Sequence, residues 1–379
     1  MRLLALVVRA GAVVVVAAVI VAVLVDGAPK PQLATARTRE APSTRTTTAA
    51  AKQRAQPRPK PSYPAGVATI VATGDIVMGT TSNLPPDGGR TFFDDVKTDL
   101  AGDVVVGNLE GTLSTVSGSK CAPGSTQCFA FQMPPSYARW LRDAGFTVLN
   151  TANNHAFDYG AAGLKQTIAA LRKQRLLHSG RPGEIAVQQV GDIRVGLVGF
   201  ASYAWANDLT DIAAAKRLVA QAAKQADIVV VSAHMGAEGR DKQHVGHTTE
   251  RFLGENRGNP RRFTHAVIDA GADLVIGHGP HVMRGMEWYR GRLIAYSLGN
   301  FAGYRVFSLG GPLSVSGILR VALRGDGAFE SGVLVATQLA GRGIPALDPA
   351  ERAHATVRTL SREDFGAHAV KVSPTGELR

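Results

Sequence analysis

The chain of 379 residues is poor in cysteine and in aromatic residues. It has only two cysteines, which excludes a cysteine-rich disulfide scaffold and a zinc site made of four thiolates. Aromatic residues make up 6% of the chain, and no basic stripe interleaved with aromatics follows residue 65, so we expect no nucleic-acid partner. Small apolar residues dominate instead, and they favour a parallel sheet covered by helices.

Several catalytic motifs are also missing. The sequence has no G-x-S-x-G nucleophile elbow, no phosphate-binding P-loop and no G-x-G-x-x-G after its first predicted strand. Neither cysteine lies in a motif that would make it a nucleophile. Serine-hydrolase, nucleotide-hydrolase and dinucleotide-binding chemistry are therefore disfavoured, and soft thiolate metal chemistry is excluded.

The net charge of +12 is concentrated at the start of the chain. Residues 1–65 hold ten Lys and Arg residues but only two acids, while the rest has 32 basic and 28 acidic residues. Residues 1–26 are almost entirely apolar, and we predict an uncleaved signal-anchor transmembrane segment rather than a cleaved signal peptide. Residues 27–65 are rich in Pro, Thr, Ala and basic residues, which predicts a disordered linker that attracts anionic surfaces.

Cys121 and Cys128 are separated by six residues that include Pro, Gly and Ser. Without a further pair of ligands they cannot form a zinc site. We expect a small disulfide-closed loop, because an exported chain meets an oxidising compartment; two free thiols are the alternative. The cysteine pair also favours a folded part that lies outside the cytoplasm.

From residue 67 onward, apolar strand-like runs alternate with helical patterns, which predicts an α/β fold. Two later runs flank a Gly-Asp-Gly turn and predict an antiparallel pair that completes the sheets. We place the folded domain at 66–340 and a C-terminal extension at 341–379. The predicted strands are 68–74, 103–107, 146–150, 193–200, 227–233, 273–277, 292–298, 313–323 and 328–338, and the predicted helices are 135–144, 161–175, 210–225 and 261–270.

Five of the predicted strands run into residues that bind metal ions. Open α/β sheets place ligands beyond the carboxyl ends of their strands, so these side chains are expected to converge on one site. Mixed oxygen and nitrogen ligands of this kind suit Mn, Fe or Zn. The residues are Asp75, Asn108 with Glu110, Asn153 to His155, His234, and His278 with His281.

Structural roles compete with functional ones at several of these positions. Asp75 could be a turn residue that bonds its own backbone, and Asp158 is a natural N-cap for the helix that follows. Ser297 and Asn300 are expected to form a turn that closes over the site, and Glu238 is a candidate supporting residue. His244, His247, His265 and the loop at 254–258 are expected at the surface, although an arginine in that loop could meet an acidic substrate.

Six motifs, in this order, resemble the CapA capsule-synthesis family, also called poly-γ-glutamate synthesis proteins, over residues 67–305. They are GDIVMG, GNLEGTLS, NTANNHAFDYG, HMG-x-E, DAGADLVIGHGPHV and RLIAYSLGNF. That family is similar to calcineurin-like metallophosphoesterases. The resemblance therefore implies a sandwich of two mixed β-sheets flanked by helices, preceded by a single transmembrane helix.

The resemblance also implies a two-metal centre of Mn, Fe or Zn. Its implied ligands are Asp75, Asn108, Glu110, Asn154, His234, His278 and His281. His155 would be the acid that stabilises the leaving group. We predict Asp158, from the same motif, as the second catalytic residue. Val77 departs from the phosphoesterase pattern, because a histidine stands there in those enzymes.

The expected function is synthesis, export or anchoring of poly-γ-glutamate or a capsule-type polymer by a single-pass protein of the cell membrane. Its folded domain would lie outside the cytoplasm, act as a hydrolase or transferase, and meet other capsule-synthesis subunits. The alternative is a non-catalytic assembly factor of the capsule machinery that binds the acidic polymer.

Overall fold

The computed structural model describes residues 66–379. The predicted membrane segment (1–26) and linker (27–65) lie outside the described residues. None of the helices in 66–379 has the length and hydropathy that a membrane span requires.

The described part of the chain alternates strands and helices as predicted. Its helices are α1 (Ala138–Ala144), α2 (Gly160–Lys173), α3 (Ile212–Gln225), α4 (Pro260–Asp269) and α5 (Arg352–Phe365). Its strands are β1 (Val67–Val77), β2 (Val104–Leu109), β3 (Thr112–Leu113), β4 (Gln132–Met133), β5 (Val148–Asn150), β6 (Leu177–Ser179), β7 (Ala186–Val190), β8 (Ile193–Ala201), β9 (Ile228–His234), β10 (Arg251–Phe252), β11 (Glu255–Asn256), β12 (Leu274–His278), β13 (Met286–Tyr289), β14 (Arg292–Ala295), β15 (Asn300–Gly303), β16 (Val315–Arg324), β17 (Phe329–Ala340) and β18 (Ile344–Leu347).

Two large sheets organise the fold, and both mix parallel and antiparallel pairs. The first has the strand order β18-β17-β16-β1-β2-β5-β6, with β15 pairing to β1 beyond the start of β16. The second has the order β13-β14-β12-β9-β8-β7. The strands at the centre of each sheet are parallel, since β1-β2-β5 and β8-β9-β12 each run in one direction. Their carboxyl ends therefore lie at one edge of each sheet.

The two sheets pack face to face around a shared apolar core. Ile70 and Ala72 of β1 are buried in one cluster with Val230 of β9 and Ile276 of β12. Val71, between them in sequence, belongs to a different cluster on the other face, as the alternation of side chains along a strand requires. The interior of the protein is thus the space between the sheets.

Helices cover both outer faces. Val105 of β2 shares an apolar cluster with Leu141 of α1 on the first sheet. Val231 of β9 shares another with Val219 of α3 and Phe263 of α4 on the second sheet. The predicted α/β sandwich of two mixed sheets flanked by helices is confirmed for the described residues.

The structure differs from the sequence prediction at 292–298. The predicted strand ends at Ala295 as β14 of the second sheet. The chain then turns through Gly299, whose φ of +71° favours glycine, and enters β15, which pairs with β1 of the first sheet. The segment 292–303 therefore passes from the second sheet to the first, because β14 and β15 pair with strands of different sheets.

Residues 341–379 continue the packed unit instead of forming a separate extension. β18 adds an edge strand to β17, and α5 buries Ala353 and Val357 in the core between the sheets. Val372 and Leu378 are buried in the same cluster. The helix lacked a clear signal in sequence because its mean composition is polar, with only one apolar stripe facing the core.

Cys121 and Cys128 are joined by a disulfide, which confirms the predicted loop. The loop lies between β3 and β4, and most of its residues are exposed.

A close backbone approach in β12 gives a direct test of the strand arrangement. A Cβ at Gly277 would overlap the backbone carbonyl oxygen of Tyr296, which cannot move aside as a side-chain end could. We expect Gly277→Ala to lower the free energy of unfolding by about 1–3 kcal/mol through overpacking. Gly246→Ala is the matched control, because nothing lies within 4 Å of its Cβ among residues 66–379. Chemical denaturation measures the free energy of unfolding of both variants. Equal values would contradict the close contact between Gly277 and the Tyr296 carbonyl.

Candidate metal centre

The first sheet contributes a row of polar residues at the ends of its parallel strands. Asp75 of β1 is in register with Asn108 of β2 on one side and with Asn300 of β15 on the other. Asn108 is in turn in register with Asn150 of β5. These four side chains are buried. Apolar residues precede Asp75, Asn108 and Asn150 along their strands, whereas Asn300 is the first residue of β15. The row lies at the carboxyl edge, where such sheets bind ligands.

The second sheet contributes two histidines. His234 ends β9 and His278 ends β12, and the two residues are paired in register. Both are fully buried, with exposures of 0% and 1%. His278 places its Nε2 at 3.0 Å from the Oγ of Ser232, which leaves Nδ1 to face the first sheet.

The two rows meet in one cluster. Ligand atoms of Asp75, Glu110 and His234 all lie within 4.8 Å of one another. The Nδ1 of His278 lies 3.6 Å from Asp75 Oδ1, and His234 Nε2 lies 3.9 Å from Glu110 Oε1. The structure therefore brings together predicted ligands that lie far apart in the sequence; Asp75 and His278 are 203 positions apart.

His281 lies against three carboxylates of this cluster. Its Nδ1 is 3.2 Å from Asp75 Oδ2, and its Nε2 is 3.6 Å from Glu110 and 3.5 Å from Glu238. The backbone of His281 has a φ of +60°, a conformation that is uncommon for a residue other than glycine and is often found at functional sites. Asn300 holds the ring in place, with its Oδ1 at 2.9 Å from Nδ1.

Most of the candidate ligand atoms are buried without a hydrogen bond. Among residues 66–379 this holds for Asp75 Oδ2, Glu110 Oε1 and Oε2, Asn154 Oδ1, His234 Nε2 and His278 Nδ1. Leaving a carboxylate buried and unpaired is strongly unfavourable, and a bound cation would offset that cost. The donor set is oxygen and imidazole nitrogen, which suits Mn, Fe or Zn. These residues therefore fit a divalent metal ion.

The environment also sets the protonation states that a metal site needs. Burial lowers the pKa of His234 to about 3 and that of His278 to about 4, so both rings are neutral near pH 7. Burial alone would raise the pKa of Asp75, but His281 and the other histidines hold it well below its usual range. Neutral imidazole and ionised carboxylate are the forms that bind metals. Burial raises the pKa of Glu110 well above its usual range, which a cation would reverse.

Asn108 lies at the cluster with its nitrogen facing inward. Its Nδ2 donates to Asp75 Oδ1 at 2.8 Å, while its Oδ1 accepts from Asn150 and Asn153 at 3.3 and 3.1 Å. In this arrangement Asn108 orients the Asp75 carboxylate. Its assignment as a metal ligand stays a prediction.

Asn154 reaches the cluster through Glu238. Its Nδ2 donates to Glu238 Oε1 at 3.2 Å, and the same oxygen lies 2.8 Å from Arg257 Nη2. Glu238 is therefore a central residue that contacts His281, Asn154 and Arg257. Its position in the sequence marked it only as a candidate supporting residue, because nothing in HMGAEG shows where that loop folds back.

His155 and Asp158 form a pair beside Asn154. The Nδ1 of His155 lies 2.8 Å from Asp158 Oδ2, and the ring stacks on Phe131 with centroids 4.1 Å apart. Asp158 also accepts from the backbone N–H of Phe131 and lies 2.7 Å from Lys120 Nζ. The alternative of Asp158 as a helix N-cap is wrong, because α2 has Tyr159 at that position and no side-chain cap. Asp158 orients His155 instead.

Lys120 and Phe131 were not expected at the site. Both flank the disulfide loop, and Lys120 immediately precedes Cys121. Their approach to His155 and Asp158 depends on how the loop between β3 and β4 folds, so neither spacing nor composition could have found them.

The remaining predictions have mixed outcomes. Ser297 and Asn300 are both buried, but Asn300 begins β15 and contacts His281 instead of lying in a turn. His244 and His247 are exposed, as expected, whereas His265 is half-buried against Glu287 at 3.0 Å. The surface prediction for the loop 254–258 is wrong at Arg257, which is only 3% exposed.

The fold and this cluster define the class: an α/β protein whose two sheets meet at a buried carboxylate–histidine centre with the donors of a divalent-metal site. Within that class, the chain belongs to the bacterial capsule synthesis protein family PGA_cap, whose model matches residues 69–304. The predicted resemblance to CapA proteins is thereby confirmed.

Curated relatives agree with this assignment. The chain is 31% identical over 260 residues to the PGA biosynthesis protein CapA of Bacillus subtilis, covering 63% of this chain and 64% of that one. It is 35% identical over 184 residues to the capsule biosynthesis protein CapA of Bacillus anthracis, covering 42% and 41%. The chain thus spans less than two thirds of the length of either relative.

Among solved structures, the chain overlaps a 5'-nucleotidase precursor from Thermus thermophilus. The overlap has a TM-score of 0.37 at 14% sequence identity and covers 78% of this chain and 59% of that one. At this level of similarity the family assignment rests on the sequence match.

Proposed function

We propose that this protein acts in the synthesis, export or anchoring of poly-γ-glutamate or a related capsule polymer, through a two-metal hydrolase or transferase centre. The relatives named for capsule and PGA biosynthesis support the pathway. The observation that carries the catalytic part is the set of six buried ligand atoms that find no hydrogen bond within residues 66–379.

Asp75, Glu110, His234 and His278 would hold the ions, with His281 and Asn154 completing the ligands. Two bound divalent ions would supply Lewis acidity and an activated water for attack on an amide or phosphate linkage of the polymer. The like-charged carboxylates of Asp75 and Glu110 favour cations here, and the buried walls of the site strengthen that attraction.

The chain's own residues would complete the reaction. His155 would donate a proton to the leaving group, as general acids do within hydrogen-bond reach of the bond that breaks. Asp158 holds the ring through Nδ1–H, so the proton for the substrate would come from Nε2 of the doubly protonated ring, which would become neutral as the proton leaves. Lys120 balances the buried charge of Asp158 at 2.7 Å.

The experiment is an incubation of the full-length chain with poly-γ-glutamate of narrow length distribution and Mn²⁺, followed by size-exclusion chromatography with light scattering. We expect the wild type and the surface control His247→Ala to change the polymer's length, and Asp75→Asn to leave it unchanged. Binding of the polymer without any change in its length would favour the alternative of a non-catalytic assembly factor. Neither binding nor a change would contradict both functions.

We further propose that residues 1–26 hold the protein in the cell membrane and that the folded domain lies outside the cytoplasm. The uncharged run from Ala10 to Val25 and the disulfide support this placement. We expect the full chain to fractionate with membranes and to be digested by protease added to intact protoplasts. Removal of residues 1–26 is expected to abolish membrane association; protection of the full chain from protease would contradict the orientation.

A further inference from the structure

Arg257 is a buried cation beside the metal centre. Its side chain is 3% exposed and is held by two carboxylates, with Nη2 at 2.8 Å from Glu238 and Nε at 2.9 Å from Glu255. Glu238 in turn contacts His281 and Asn154. One residue therefore separates the guanidinium from the candidate metal ligands.

Part of this guanidinium is left without a partner. Nη1 of Arg257 is buried and makes no hydrogen bond to any residue in 66–379. A buried donor without a hydrogen bond is unfavourable, so such a group calls for a ligand. A guanidinium matches the geometry of a carboxylate better than any other side chain does.

A ladder of aromatic rings begins at Arg257. The guanidinium carbon lies 5.7 Å from the ring centroid of Tyr203. Tyr203 stacks on Trp205 at 4.7 Å and 10°, and Trp205 stacks on Phe157 at 5.0 Å and 11°. All three rings are half-buried, so each presents an edge or face to solvent. The indole N–H of Trp205 donates to the backbone oxygen of Asn153, which fixes the ladder against the site.

The ladder ends at a basic cavity. Phe157 lines a cavity of about 560 Å³ together with Lys165, Arg172 and Arg181. Arg181 pairs with Glu184 at 2.8 Å, while the side chain of Lys165 is exposed. Basic side chains thus stand at both ends of the aromatic ladder. Arg257 lies beside the metal centre, where the Tyr203 hydroxyl also donates to Glu255 at 2.7 Å, and the other basic residues line the cavity.

We infer that Arg257 receives a carboxylate of a γ-linked glutamate chain, and that the chain continues over Tyr203, Trp205 and Phe157 toward the basic cavity. This inference rests on the proposed function, and it assigns the protein residues that would contact the carboxylate and the methylene groups of the substrate. A γ-glutamyl chain carries one carboxylate and two methylene groups in each unit, so it offers both an anion for the guanidinium and apolar groups for the rings. A phosphodiester polymer has the anions but fewer apolar groups to cover the ladder.

The test is calorimetric titration of the full-length, metal-loaded chain with a γ-linked glutamate decamer. The same decamer with its free carboxylates converted to amides, and inorganic phosphate, are the comparison ligands. Arg257→Gln removes the guanidinium, Arg257→Lys keeps a positive charge for Glu238 and Glu255, and Arg217→Gln is the matched control on the exposed face of α3. Metal content and melting temperature are measured for every variant.

We expect the wild type and Arg217→Gln to bind the glutamate decamer with equal affinity and to bind the amide decamer at least tenfold more weakly. Arg257→Gln and Arg257→Lys are each expected to bind the glutamate decamer about tenfold more weakly or worse, since one charge-assisted hydrogen bond is lost. Should Arg257→Gln lose its metal, Arg257→Lys decides the question.

Three results would overturn the inference: unchanged affinity in a metal-loaded Arg257→Lys, equal binding of both decamers, or binding of phosphate but not of the glutamate decamer. Two other results would show that the proposed catalytic function fails. The wild type would contain no metal, or the polymer would keep its length in the incubation with Mn²⁺.

Discussion

Glu110→Gln is expected to abolish metal binding and at the same time to raise the melting temperature of the metal-free protein. Both carboxylate oxygens of Glu110 are buried without a hydrogen bond in the described part of the chain, and Asp75 and Glu238 add like charge nearby. Without metal this carboxyl must either stay charged or take up a proton at its raised pKa, and the neutral amide avoids that cost, about 2 kcal/mol or roughly 5 °C. A side chain that destabilises the metal-free protein but stabilises the metal-bound protein is retained for function and not for folding.

Differential scanning fluorimetry with and without a chelator makes this measurement. The melting temperature of the wild type is expected to fall by several degrees when the chelator removes the metal. A ligand present at a thousand times its dissociation constant stabilises the folded protein by about 4 kcal/mol. Glu110→Gln is expected to show no response to the chelator. Glu363→Gln, on the exposed side of α5, is the control and should behave as the wild type. A Glu110→Gln variant that still responds to chelation would show that Glu110 holds no metal.

His155→Ala is expected to lower the rate of polymer processing by about 10²–10⁴-fold, the usual contribution of a general acid. Metal content should be unchanged, because Nδ1 of His155 is engaged by Asp158 at 2.8 Å and the ring stacks on Phe131, outside the cluster of Asp75, Glu110 and His234. Asp158→Asn is expected to cost less, since it leaves the ring in place and weakens only its orientation.

The measurement is the initial rate of change in polymer length under saturating Mn²⁺, beside metal analysis of each variant. His247→Ala is the control, because that ring is exposed. A His155→Ala rate equal to that of the wild type would remove His155 from the reaction. Loss of metal in that variant would instead make it a ligand.

The residues at the strand ends could be predicted, because a strand is recognised from a short stretch of sequence and parallel strands place their carboxyl ends on the same side of a sheet. Five apolar runs ending in Asp, Asn or His predicted where Asp75, His234 and His278 meet, and the register of β1 with β2 and of β9 with β12 agrees. What the residues could not reveal was the pairing between the two rows. That depends on how the sheets pack, which involves contacts between residues far apart in the sequence, such as Asp75 and His281, which are 206 positions apart.

Some of the site residues that lie on loops were not predicted, because their positions also depend on tertiary contacts. Arg257 lies in a Gly-rich, polar stretch that reads as surface, yet the loop folds inward and Glu238 compensates its charge at 2.8 Å. Lys120 reaches Asp158 because its backbone N–H donates to the backbone oxygen of Asp158, which holds the start of the disulfide loop beside that residue. Asp158 itself had two acceptable interpretations, and the contact with His155 decides between them in the structure.

The proposed function requires that the buried cluster hold metal. The most direct measurement is plasma mass spectrometry of the purified full-length chain, beside His234→Ala, His278→Ala and the exposed control His247→Ala. We expect about two equivalents of Mn, Fe or Zn in the wild type and the control, and their loss in both buried-histidine variants. A wild type that binds none of these ions, even after incubation with each of them, would contradict it.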